Sequence, residues 1–200
     1  MSFRPFLISL LVILLPSLWI ETIDFFDLFT GQFDFRYHRA HILEGQWWLF
    51  LTGHFDHLGW NHLLLNAAFL ILLLSLFEPL FRSGRVISIT LCSMLMISSM
   101  MWFFSPFLIW YVGLSGCLYS VLVYGVAKDE RYPYSFRVFA LSLIVAKVIL
   151  EQLEFEIVQV SEFISGPVAV DSHLYGLISG FAILVISNAY TKLKRRISSQ

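Results

Sequence analysis

Six long apolar runs constrain this chain more than any other feature. They fall at about residues 6–20, 58–77, 86–104, 114–127, 136–153 and 173–190. A bilayer's hydrocarbon core is about 30 Å thick, and a helix needs roughly 20 apolar residues to cross it. The first and fourth runs are shorter, so their boundaries are the loosest. Charged residues make up only 14% of the 200, where soluble domains carry about 25%. The runs fill most of the chain and leave no room for a separate soluble domain. The expectation is an all-α membrane protein, a single domain over residues 1–200 built as a bundle of six transmembrane helices.

The first run has Arg4, an apolar core and Pro16, as a cleaved signal would. No small-x-small cleavage site follows it, only "SLWIETIDFF", so a retained signal anchor is expected. With the N-terminus inside, six spans put Arg4, Arg82, Arg85, Lys128, Arg131, Arg137, Lys192, Lys194, Arg195 and Arg196 on the cytoplasmic side. The opposite side keeps Arg36 and Arg39. Lysine and arginine bias sets orientation, so both termini are expected to be cytoplasmic. The tail "KLKRR" then anchors at anionic head groups, and no nucleic-acid partner is implied. Cys92 and Cys117 fall within spans and suggest no disulfide framework.

Polar groups inside a membrane are costly and tend to be functional. His62 and Asn66, in "WNHLLLNAAFL", share one face of the second span one turn apart. Ser115, in "YVGLSGCLYS", begins the fourth span, and His173, in "DSHLYGLISG", begins the last. Under this topology all four lie at similar depth below the non-cytoplasmic surface. Gly113 and Gly116 flank the serine, while Gly176 and Gly180 make a small-xxx-small stripe of the kind that lets helix backbones approach in lipid. If those faces meet, His173 can take the Ser115 proton and make its hydroxyl a nucleophile. His62, the Asn66 amide and the Ser115 N–H are then donors for the oxyanion that acyl transfer builds.

Each feature also has a plainer reading. A Gly-x-Ser-Gly in a membrane helix commonly serves packing, a histidine at a helix end lies in the interface, and a His/Asn pair bridges helices. The residues taken alone leave catalysis and packing both open.

The motifs "GLSG" (Gly113–Gly116), "HLLLN" (His62–Asn66) and "HLYGLISG" (His173–Gly180), in this order, resemble the rhomboid family of intramembrane serine proteases. The resemblance implies a six-helix rhomboid-like bundle and a Ser–His dyad without an acidic third member. Ser115 is its nucleophile, His173 its base, and His62 and Asn66 match the family's oxyanion positions. Tyr119 matches an aromatic that packs on the catalytic imidazole, and Glu78 a structural glutamate. One departure is Leu49, in "QWWLF", where the family often has an arginine, and this puts the packing of the first loop in doubt.

The run "RYHRAHILEGQWWLFLTGHFDHLGWNHLLLN" and the "AKVILEQ" of span five are most similar to the rhombosortase subgroup. That similarity implies a bacterial inner-membrane enzyme whose site opens toward the periplasm. Its substrates would be secreted proteins with a C-terminal Gly-Gly motif, a transmembrane helix and a basic tail. It would release them by hydrolysis or transfer them to an amine acceptor. No cofactor or metal is implied: His38, His41, His54 and His57 have no zinc-ligand spacing, and His57 resembles a loop-supporting histidine. The aromatic-rich loop Glu21–Gln46 suits the membrane interface. Lys147 and Glu151, at i and i+4 in span five, support the main rival, a small proton-coupled transporter or channel subunit. The plainer reading of that pair is mutual neutralisation, and an inactive rhomboid relative that binds clients is a further alternative.

Overall fold

Each apolar run coincides with a helix, overrunning its ends by at most two residues. The computed structural model describes residues 3–26, 34–78, 84–155 and 160–198. The long helices are α1 (Phe3–Phe25), α4 (Trp60–Leu76), α5 (Arg85–Phe104), α6 (Ser115–Lys128), α7 (Tyr134–Gln152) and α9 (Val170–Ser198). Short helices α2 (Arg39–Leu43), α3 (Leu49–Thr52) and α8 (Val160–Phe163) lie in the connections, with strands β1 (Tyr37–His38) and β2 (Trp110–Tyr111). Among the described residues, the helices long and apolar enough to cross a membrane are Arg4–Phe25, Arg85–Phe104 and Val170–Ser198. Part of the loop Glu21–Gln46 (27–33) and Arg82 lie outside the described residues.

Two helices outrun the spans expected for them. α1 continues to Phe25 instead of stopping near Ile20, and α9 carries the basic tail to Ser198. The extensions "ETIDF" and "TKLKRRIS" contain no glycine or proline to break the helix. Apolarity marks the lipid-facing length, whereas the hydrogen-bonded helix continues into polar sequence.

α6 is the central helix. Gly116 to Val121 and Val123 to Gly125 are all buried, with α4, α5, α7 and α9 packed around it. A helix covered on every side belongs in the interior. Its 14 residues cover about 21 Å at 1.5 Å per residue, less than the ~30 Å hydrocarbon thickness. At least one end therefore lies inside the bilayer's depth. α4 turns His62, Leu63, Asn66, Leu70, Leu73 and Leu74 inward, a stripe at helical spacing. Its outward residues are apolar too: Leu64 is 60% exposed and Leu72 53%. An apolar exterior of this kind suits lipid and would associate in water.

The α6–α9 crossing runs through glycines. A Cβ on Gly176 would fall on the Gly116 carbonyl oxygen, and one on Gly116 would lie 2.6 Å from the Ser172 carbonyl oxygen. One on Gly180 would lie 3.0 Å from Ser120 Cα. Ser120 Oγ donates to the Gly176 carbonyl at 2.7 Å, so the close approach also carries a hydrogen bond.

The segment between α1 and α4 is pinned at several points. Tyr37 pairs with Tyr111 and His38 with Trp110 in an antiparallel ladder. The Gly113 N–H donates to the Gly53 carbonyl at 3.0 Å. Arg39 donates to the carbonyls of Met101 (2.8 Å), Ser105 (3.0 Å), Trp102 (3.1 Å) and Leu108 (3.3 Å). Met101 and Trp102 belong to the last α5 turn, at the negative end of the dipole; the Met101 carbonyl also accepts from the Ser105 N–H at 3.1 Å. Leu49 is fully buried in the main core. The loop is therefore packed with leucine at that position, and Arg39 supplies its cationic anchor.

Candidate active site

Ser115 opens α6 immediately after a sharp turn. Gly113 has φ +121°, and a Cβ there would lie 2.8 Å from His62 Cε1. Glycine thus permits both the backbone turn and the close approach of the His62 ring. His173 stands in the first turn of α9, which is tied to the end of α5: Ser105 Oγ donates to Asp171 Oδ2 at 2.6 Å, and the Tyr175 hydroxyl lies 2.7 Å from Ser105 Oγ. Across the glycine crossing, Ser115 Oγ lies 2.9 Å from His173 Nε2. Tyr119 packs against the imidazole, ring centroids 4.7 Å apart and planes at 35°. Phe69 meets Tyr119 edge-on at 6.1 Å.

The expectation of no acidic group beside the histidine does not hold. Glu151 Oε2 lies 3.0 Å from His173 Nδ1. Lys147 Nζ bonds the other carboxylate oxygen, Oε1, and also the Tyr119 hydroxyl. Sequence reasoning found Lys147 and Glu151 as charges one turn apart in span five, and missed that their face meets His173. The detectable signal was a carboxylate in an apolar run; its partner depends on how α7 leans against α9.

His62 and Asn66 line the same cavity as Ser115, Tyr119, Glu151 and His173, a space of about 1050 Å³. The Leu58 N–H donates to His62 Nδ1 at 3.3 Å, so a neutral His62 ring carries its proton on Nε2 and is a donor there. The Asn66 amide donates to the His62 carbonyl at 3.2 Å. Asn61 Nδ2 donates to the Phe163 carbonyl at 3.0 Å, linking the start of α4 to α8 beside this cavity.

The remaining histidines have structural neighbours. His54 Nε2 lies 2.9 Å from Ser98 Oγ and 3.1 Å from the Met94 carbonyl. Burial pushes its pKa down to about 4. His57 bonds the Phe55 carbonyl at 3.0 Å and meets the His62 ring edge-on at 4.9 Å. Burial, then the neighbouring His62, lowers its pKa to about 3. His38 and His41 stack with centroids 4.2 Å apart.

Chemically, the pocket places an alcohol against an imidazole nitrogen, with a histidine and an amide on a facing helix. Such a set can carry out nucleophilic acyl transfer. No curated protein gives a match to the sequence. A family model described as the Rhomboid domain matches residues 44–189. That stretch runs from the end of α2 into α9 and holds Ser115, His173, His62 and Asn66, and by this match the chain belongs to the rhomboid family.

Proposed function

We propose that the chain is an intramembrane serine endopeptidase with Ser115 as nucleophile and His173 as general base. The observation that carries this reading is the 2.9 Å contact between Ser115 Oγ and His173 Nε2, on the wall of a cavity large enough for an extended peptide segment. Ser115 attacks the scissile carbonyl while His173 takes its proton, then returns it to the leaving amine. His62 Nε2–H, the Asn66 amide and the Ser115 N–H serve as donors to the oxyanion. Water or another amine resolves the acyl-enzyme.

The substrates we propose are bacterial secreted proteins anchored by a C-terminal transmembrane helix preceded by Gly-Gly. Support comes from the rhombosortase-like segments and from helix physics. Glycine costs a helix ~1 kcal/mol per residue relative to alanine, so a Gly-Gly segment unwinds readily and offers extended backbone to a recessed serine. The proposed setting is the inner membrane, termini cytoplasmic, with the cavity open to the periplasm. The transporter reading leaned on Lys147 and Glu151, and both now have partners beside Ser115 in Tyr119 and His173.

Ser115→Ala tests the proposal. In reconstituted membranes it should abolish cleavage of a Gly-Gly-tailed transmembrane substrate and labelling by a fluorophosphonate. Retained cleavage would overturn the assignment. Mass spectrometry of the new substrate C-terminus identifies the bond cut and any attached amine.

A further inference from the structure

We propose that Glu151 is a positioning residue for the reaction, acting through His173 to complete a Ser115–His173–Glu151 triad braced by Lys147. The inference rests on the proposed roles of Ser115 and His173. Three helices contribute to one line of groups: Ser115 Oγ to His173 Nε2 is 2.9 Å, and His173 Nδ1 to Glu151 Oε2 is 3.0 Å. An ionised carboxylate only accepts hydrogen bonds. It therefore keeps the imidazole proton on Nδ1 and leaves the Nε2 lone pair for the Ser115 hydroxyl.

The charge that develops in the reaction also favours such a group. As the Oγ–C bond forms, the Ser115 proton moves to Nε2 and His173 becomes an imidazolium. When the C–N bond breaks, that proton passes to the leaving amine. Glu151 stays ionised throughout and faces the transient positive charge, as the acid of a Ser-His-Asp triad does. His173 is only 7% exposed, so water screens that charge weakly. Lys147 holds Oε1 and the Tyr119 hydroxyl, while Tyr119 packs on the same imidazole. The carboxylate is thereby fixed in both position and rotation.

The plainer reading is a Lys147–Glu151 pair that neutralises itself within the apolar span. That reading uses Oε1 alone and gives Oε2 no reason to face Nδ1. Among the described residues, the titratable or charged groups around the imidazole are Glu151 and Lys147 from α7, Tyr119 from α6 and His62 from α4. Within α9, Asp171 is bonded to Ser105. Substitutions in α7 leave all but the first two unchanged.

The test is the rate at which a fluorophosphonate inactivates the reconstituted full-length protein between pH 5 and pH 9. The probe forms an Oγ–P bond, releases fluoride and delivers the Ser115 proton to His173, independently of any natural substrate. In Glu151→Gln, Lys147 can only donate, so it draws the new amide's carbonyl and turns the NH2 toward Nδ1. That favours the wrong tautomer. A loss of at least about a hundredfold in the plateau rate is expected, against ~10⁴ for the equivalent change in a Ser-His-Asp triad. The acid limb should move to lower pH, because imidazolium has lost its counter-charge. Lys147→Met should move that limb the opposite way, since it removes a positive neighbour and leaves the carboxylate. Glu151→Asp should regain part of the rate and keep the acid limb near its original place.

A self-neutralising pair predicts equal losses in Glu151→Gln and Lys147→Met with no opposed pH shifts, and that result would overturn the inference. So would a Glu151→Gln rate within threefold of the parent. Should Glu151→Gln fail to fold, the limb positions of the Lys147→Met and Glu151→Asp proteins decide the matter. Labelling that persists in Ser115→Ala would instead sink the proposed function itself.

Discussion

His54 is fully buried, and that burial favours the neutral ring. Ser98 Oγ donates to the Phe50 carbonyl at 2.7 Å, so both Nε2 neighbours, Ser98 Oγ and the Met94 carbonyl, are left as acceptors for one Nε2–H. Protonation would add a charge out of reach of bulk solvent, which is why burial lowers the pKa to about 4. In the unfolded chain a histidine titrates near 6.5. The unfolded state therefore binds the extra proton first as pH falls. The His54 contribution to stability is complete above roughly pH 6.5 and drains away toward pH 4, with about 2 kcal/mol lost at pH 5. His54→Gln should be less stable than the parent at pH 7, yet its Tm in detergent should fall less between pH 7 and pH 5. Parallel falls in the two proteins would contradict this account. Residues of this kind differ in how readable they are. Ser115 and His173 stand out because a hydroxyl between glycines and an imidazole at a span's edge are costly in lipid. The partners of His54 and Glu151 lie on other helices, and spacing along one helix carries no information about which neighbour its face will meet.

At the scale of the elements, α6 and α9 form the joint on which the Ser115–His173 distance depends. The small-xxx-small stripe at Gly176 and Gly180 is readable in sequence as a packing surface. That it meets Gly116 becomes visible only when a methyl group placed on Gly176 collides with the Gly116 carbonyl. The methyl has no torsion that could move it aside and the atoms it meets are backbone, so relief requires the helices to separate. Gly176→Ala should cost ~1–3 kcal/mol, the usual range for overpacking, and lengthen the Ser115–His173 contact. Gly45 offers the contrast. Its φ is +98° and nothing lies within 4 Å of a Cβ there, so Gly45→Ala strains one exposed turn and leaves the joint alone. Both variants should lower Tm, but only Gly176→Ala should slow fluorophosphonate labelling by more than tenfold. Equal labelling of the two would refute the coupling. The helix lengths show where apolarity misleads. α6 looks like a short span in sequence, because a helix enclosed by four neighbours need not reach from one interface to the other.

Across the whole molecule, α9 sets the site and the basic tail at opposite ends. α6 and α9 run in the same direction: Ser120 bonds Gly176 near their starts, and Tyr124 bonds Ser187 further along. From His173 to Lys192 the helix rises about 29 Å at 1.5 Å per residue, close to the ~30 Å hydrocarbon core. Lys192, Lys194, Arg195 and Arg196 therefore lie one bilayer thickness from the Ser115–His173 pair. Under the proposed orientation, with the basic tail cytoplasmic as the inside-positive bias favours, the proposed catalytic cavity would lie near the outer interface. This arrangement makes a two-sided prediction. A membrane-impermeant fluorophosphonate should label Ser115 in right-side-out cells stripped of their outer membrane, and fail in inverted vesicles. A Ser198→Cys protein in which Cys92 and Cys117 are replaced by serine should react with an impermeant maleimide in inverted vesicles alone. Labelling of both positions from one side would mean that the bundle does not separate its ends across the bilayer. Reversal of both would keep the bundle and invert its orientation, placing the basic tail outside against the charge bias.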